Sequence, residues 1–237
     1  MRPSDLLIPQ PAGLYCPVAD VFIDPVFPVD RALITHGHSD HARAGHGSVL
    51  ATQETLGIMG IRYGEHFAGQ IQAAQLGVAI EINGVRFTFY PAGHVLGSAQ
   101  IAVEAKGLKI IVSGDYKRAA DPTCLPFEPQ CCDIFITEAT FGLPVFTHPD
   151  LAKEVQKLLR SVKLFPERAH LVGAYSLGKA QRVIALIREA GYDAPIYLHG
   201  ALEKLTAYYA HHGANLGLLK PVAGVPRDEV QGAIILC

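Results

Sequence analysis

The 237-residue sequence has no CxxC pair, no apolar run near the roughly 20 residues a membrane-spanning helix requires, and no large excess of either charge. Each absence removes a class of protein. The five cysteines, Cys16, Cys124, Cys131, Cys132 and Cys237, are scattered and odd in number, so no disulfide framework is expected. The opening MRPSDLLIPQP lacks the basic-then-apolar layout of a secretory leader. These features predict a cytoplasmic protein in a reducing compartment with no membrane partner. A net charge of −2 supports neither a basic nucleic-acid coat nor an acidic disordered tail. It leaves a nucleic-acid substrate open, because metal ions and a local basic cleft can supply positive charge. Internal repeats and low-complexity tracts are also missing. What is present is 49% apolar residues, enough for a sizeable core, and eleven histidines, several of them clustered.

The first half reads as short strands between turns: 21–23, 32–34, 49–51, 78–82, 85–90, 99–104, 109–113 and 134–137. Asn83-Gly84 suits the positive φ values of a tight hairpin turn. Residues 53–66 carry a helical pattern weakened by two internal glycines. After about residue 142 the texture changes to helices at 149–164, 177–190 and 202–212, alternating with strands at 169–175 and 194–198. Such alternation predicts an open parallel sheet, and the chain as a whole an α/β protein. Ile234–Cys237 reads as the interior of a buried strand, which suggests a fragment of a longer protein.

The stretch 34–41, ITHGHSDH, places His36, His38, Asp40 and His41 in six residues straight after an apolar strand. Further candidates also follow strands: His94 in PAGH, Asp115 in SGD and Glu138 in TEAT. All are expected on one rim of a β-sandwich. Imidazoles suit zinc, and a shared carboxylate can bridge two ions. Two ions about 3.5–4 Å apart would clamp a phosphodiester. The competing reading is surface loop histidines, which suits a lone histidine better than this cluster. His46 reads as a loop histidine, and Ser98 and Gln100 as ordinary turn and strand residues.

HxHxDH with a separate His and a separate Asp resembles the signature of the metallo-β-lactamase fold. The stretches DVFIDP, THGHSDHARAGH, YPAGHVLGSAQ, SGDYK, TEATFGLP and VGAYSLGKAQR resemble its β-CASP branch, and within it the bacterial ligase-associated DNA exonucleases and the mRNA 3′-end processing factors. The resemblance implies a four-layer αββα sandwich over 1–142 and an inserted, incomplete α/β β-CASP domain over 143–237. It implies a first metal on His36, His38 and His94, and a second on Asp40 and His41 with Asp115 bridging. The cofactor would be one or two zinc ions, with manganese as an alternative. Asp24 would brace the HxHxDH loop and Glu138 would be the acid that marks the branch, these two joining Asp40 in the catalytic set. The branch's later histidine and its motif B residue have no match, so the second site is expected to be incomplete.

The implied activity is metal-dependent phosphodiester hydrolysis at an interdomain cleft, on DNA ends first and RNA second, with a possible link to a DNA ligase. Lys117 would meet a phosphate backbone. Ser176 and Lys179, at a strand-to-helix turn, would form a phosphate-binding site with the helix amides. That turn lacks the GxxxxGK[ST] spacing, so nucleotide hydrolysis is not expected. Two rivals are a thioester or lactone hydrolase of the same fold and a non-catalytic binding paralogue.

Overall fold

The computed structural model describes residues 1–147 and 149–237, which divide into two compact units, Met1–Glu138 and Ala139–Cys237. The division falls four residues before the expected boundary at 142.

The first unit runs α1 (Pro3–Leu6), β1 (Ile8–Gln10), β2 (Gly13–Cys16), β3 (Val21–Ile23), β4 (Arg31–Leu33), β5 (His46–Thr52), α2 (Gln53–Tyr63), β6 (Ala68–Ala74), β7 (Ala79–Ile82), β8 (Val85–Pro91), β9 (Ala99–Ala105), β10 (Leu108–Val112) and β11 (Ile134–Ile136). Six strands form one sheet in the order β1-β2-β3-β4-β5-β6, antiparallel as far as β3 and parallel from β3 onward. The other sheet, β11-β10-β9-β8-β7, is antiparallel except where β11 joins β10. The two sheets close on one apolar core. Val21, Ile23, Leu33 and Leu50 come from the first, Val85, Phe87, Phe89, Ile101, Val103 and Ile110 from the second. Alternation along β8 turns Val85, Phe87 and Phe89 inward.

Helix α2 covers the outer face of the first sheet, burying Leu56 and Met59 against Ala32, Val49 and Ala51. Its start is capped by Thr52, whose side chain accepts from Thr55 N, and its end is a glycine, Gly64, at φ +85°.

The second unit continues with α3 (Leu151–Leu164), β12 (His170–Val172), α4 (Lys179–Glu189), β13 (Ile196–Leu198), α5 (Gly200–His211), β14 (Leu219–Pro221) and β15 (Ile234–Leu236). Its four strands are all parallel, in the order β12-β15-β13-β14. Strand β15 lies between β12 and β13, which is why its sequence is an unbroken apolar run: both faces are covered. Pro221, which cannot donate to a ladder, sits on the edge strand β14. The architecture is thus α/β, a two-sheet sandwich followed by a separate parallel sheet.

Candidate metal centre

The histidine loop leaves β4 and is fastened at its root by Asp24. That residue follows β3 and takes a positive φ of +45°, which turns its side chain into the loop. Asp24 Oδ1 accepts from Thr35 N at 2.8 Å, and Oδ2 accepts from Thr35 Oγ1 at 2.6 Å and from His41 Nδ1 at 2.8 Å. Asp24 therefore contacts the loop at both its ends and is not among the donor atoms described next. Gly37, between His36 and His38, lies against α2: a Cβ there would come 2.6 Å from Ile58 Cγ2, so glycine is required for the loop to approach the helix.

The second element is the loop 92–98 after β8. Its Ser98 hydroxyl accepts from His94 N at 3.0 Å and Val95 N at 3.1 Å, winding the chain so that His94 faces the histidine loop. Gly97 (φ +75°) ties this loop to the start of α2, its carbonyl accepting from the Thr52 and Thr55 hydroxyls at 2.7 and 3.1 Å. The third element is Asp115, just beyond β10.

These elements bring His36, His38, His94 and Asp115 together, with one ligand atom from each lying within 4.8 Å of the others. His36 Nε2 is 3.0 Å from His38 Nδ1, which is 3.2 Å from His94 Nε2; Asp115 Oδ2 is 3.5 Å from His94 Nε2 and 3.8 Å from His36 Nε2. An ion held at about 2.0–2.1 Å by tetrahedral nitrogen and oxygen donors would space them about 3.4 Å apart. The observed separations bracket that value, so the residues fit a zinc-class ion.

The electrostatics agree. Burial, and then the neighbouring imidazoles, holds His36 well below the ordinary histidine value, and burial first and His38 next pull His94 down to about 4. Both are neutral near pH 7, with lone pairs available to a cation. His41 differs. Burial opposes its charge, but hydrogen bonds to Asp115 and Asp24, with their negative charges, outweigh that and raise it to about 10. Its Nε2 lies 3.4 Å from Asp115 Oδ1 and 3.7 Å from Asp40 Oδ2. Asp115, itself held low chiefly by the hydrogen bond from His41, turns one oxygen toward the three-histidine group and the other toward His41. His41 and its carboxylates thus make a second place suited to positive charge. Asp24, Asp40, His41, Asp115 and Glu138 all line one cavity of about 330 Å³.

The expected substrate contacts are placed differently. Lys117 Nζ forms an ion pair at 2.8 Å with Asp121, whose side chain is 3% exposed, and Asp121 also accepts from the Thr123 amide and hydroxyl. That lysine secures a turn instead of standing open to a phosphate. At the start of α4 the Gly178 amide donates to Gln181 Oε1 at 2.8 Å and the Ala180 amide to the Tyr175 carbonyl at 3.1 Å. Two of the amides that a phosphate would need are committed, and the Ser176 carbonyl accepts from Gln181 Nε2. Lys179 is exposed, with Nζ 4.7 Å above the Tyr175 ring. Thr35 and Ser98 are structural partners of the centre that residue type alone did not mark, because threonine and serine have many ordinary uses in loops.

Comparison with known proteins adds the family context. Residues 23–173 match the model of the metallo-beta-lactamase superfamily. A "Probable DNA ligase" of Opitutus terrae is 29% identical over 236 residues, covering 95% of this chain and 22% of that protein. An "RNase J-like protein" of Methanocaldococcus jannaschii is 27% identical over 209 residues, 76% of this chain and 50% of that one. An "Endoribonuclease YSH1" of Gibberella zeae is 29% identical over 242 residues, 86% of this chain and 28% of that one. The chain spans half or less of the length of these curated relatives. A crystal structure of an Enterococcus faecalis protein of unknown function shares the fold, with TM-score 0.56 and 11% identity over 86% of this chain and 57% of that one.

Proposed function

The chain belongs to the metallo-beta-lactamase superfamily, and on that premise we propose that it is a metal-dependent nucleic-acid phosphodiesterase of the β-CASP branch. The observation that carries the reading is the convergence of His36, His38, His94 and Asp115, with Asp115 shared toward His41. Zinc, or manganese in its place, would be held by these residues, with Asp40 and His41 serving a second position. When bound it supplies Lewis acidity toward a phosphoryl oxygen and lowers the pKa of water to near neutrality.

The chain's own groups do the rest. Asp24 holds the histidine loop, and Asp115 keeps its two oxygens on the two positions. Glu138, half-buried on the wall of the same cavity, is a carboxylate able to take a proton from the attacking water or to orient a ligand.

Substrate class rests on the relatives. The Opitutus protein's name supports DNA and a link to ligation, and its match spans nearly all of this chain. The names of the archaeal and fungal proteins support RNA as the second reading. No described helix is long and apolar enough to cross a membrane.

The test is elemental analysis followed by digestion of single-stranded DNA, single-stranded RNA and a thioester substrate side by side. Metal-dependent loss of nucleic acid, with DNA ahead of RNA and no thioester turnover, is expected. Thioester cleavage without nuclease activity would replace this reading with that of a non-nuclease hydrolase.

A further inference from the structure

We infer that Thr35 is a positioning residue whose hydroxyl dictates which nitrogen of His36 faces the metal centre. Thr35 is 1% exposed and anchored through its backbone on both sides. Its N–H donates to Asp24 beyond β3, and its carbonyl accepts from Ala99 N on β9 at 2.8 Å. The side chain is confined as well. Gly114 (φ +54°) passes so near that an added Cβ would lie 2.5 Å from Thr35 Oγ1 and 2.6 Å from its Cβ.

Within that enclosure Thr35 Oγ1 lies 2.6 Å from Asp24 Oδ2 and 3.1 Å from His36 Nδ1. A carboxylate oxygen has no hydrogen to give, so the single hydroxyl hydrogen goes to Asp24. The hydroxyl oxygen can then only accept, and the hydrogen between it and the imidazole must sit on His36 Nδ1. A neutral imidazole carries one hydrogen, so Nε2 keeps its lone pair. Nε2 is the atom that approaches His38 and Asp115. Asp24 Oδ2 also accepts directly from His41 Nδ1 at 2.8 Å. One carboxylate oxygen therefore orients an imidazole of each metal position, His41 by contact and His36 only through Thr35.

This inference rests on His36 being a metal ligand, but its decisive readout needs neither metal nor substrate. In the metal-free protein labelled with 15N-histidine, long-range proton–nitrogen NMR spectra report which ring nitrogen carries the hydrogen. Wild-type His36 is expected as the Nδ1–H form. Thr35→Val replaces the hydroxyl with a methyl of similar size and removes the acceptor. It should give Nε2–H or a mixture, and weaken zinc binding in a chelator competition by about 10- to 100-fold. Thr35→Ser should restore both. A wild-type His36 with its hydrogen on Nε2 would overturn the inference whether or not any variant folds. So would Thr35→Val with an unchanged tautomer and unchanged zinc affinity. Failure of the nuclease reading would appear in the digestion assay and would leave these spectra as they are.

Discussion

His41 answers two demands that conflict. As a ligand it must be neutral, yet without an ion its place between Asp24 and Asp115 raises it to about 10. His36 and His94 lie below the ordinary value of 6.5, and are kept neutral by burial. As pH falls below 6.5 the unfolded chain takes up protons that these two buried rings refuse, so the metal-free fold loses stability toward pH 4. The contribution of His41 has the opposite sign. It is fully present below 6.5 and lost as pH rises toward about 10. Metal-free protein should therefore melt at a lower temperature at pH 9 than at pH 6.5, and His41→Gln should flatten that decline. Zinc should flatten it too, since a ligating His41 has no proton to lose. A wild-type alkaline decline identical to that of His41→Gln would contradict the assignment. Separately, His36→Ala or His94→Ala should weaken zinc binding by at least about 100-fold, each removing a donor from the group of four, and retained stoichiometric zinc would refute the centre. The cluster of candidate ligands was legible because few side chains bind metals, and a group of them at strand ends has few other uses. Lys117 shows the limit. Its partner, Asp121, is buried in a turn with no helical or strand period to announce it.

At the scale of elements, strands were legible where a buried face imposed a pattern. β3, β8, β9 and β10 read within a residue or two, because their side chains meet in the core between the sheets. β6 did not. Its AGQIQAA has residues 69–73 exposed on a sheet edge, so no burial pattern is written into it. The expected strand 169–175 is only His170–Val172, with Gly173 to Tyr175 leading into the α4 turn. The glycine expected to end α4, Gly191, follows its C-cap at φ +82°, but the pattern did not show what holds that end in place. Arg188, in its last turn, donates to the carbonyls of Tyr192, Ala194, Leu216 and Leu218 at 2.6 to 3.0 Å, joining the segments that lead into β13 and β14. Gly217 (φ +61°) makes room, since a Cβ there would lie 2.5 Å from Arg188 Nε. Arg188→Ala should destabilise the chain by about 2–4 kcal/mol, because several carbonyls lose a charged donor together. Arg188→Lys should recover little, as one ammonium cannot reproduce the planar fan. Urea unfolding with hydrogen exchange across α4 and β13 reads both, and an unchanged midpoint for Arg188→Ala would refute the role.

For the whole molecule, a net charge of −2 means that a nucleic acid cannot be drawn in by a global basic field. On the proposed reading, binding must rest on local features. Lys117 is taken by Asp121, and the start of α4 is partly closed by its own cap. An exposed candidate in the second unit is Lys179 beside Tyr175, a ring 74% exposed with the ammonium 4.7 Å from its centre. Such a pair offers one charge for a phosphate and one face for a base. The two contributions separate experimentally. Lys179→Ala should weaken binding of a single-stranded oligonucleotide and reduce the salt dependence by about one phosphate contact, a slope change of roughly 0.7 in log–log form. Tyr175→Leu should weaken binding by about 1–3 kcal/mol, the worth of one stacked base, and leave the slope unchanged. Zinc content should be unaffected in both, because each residue belongs to Ala139–Cys237 while every ligand of the proposed centre belongs to Met1–Glu138. Coincident salt titrations for wild type and Lys179→Ala would make that lysine an ordinary surface residue. Substrate charge would then have to be met elsewhere, by the proposed metal centre or by another exposed cation such as Lys204 or Lys220.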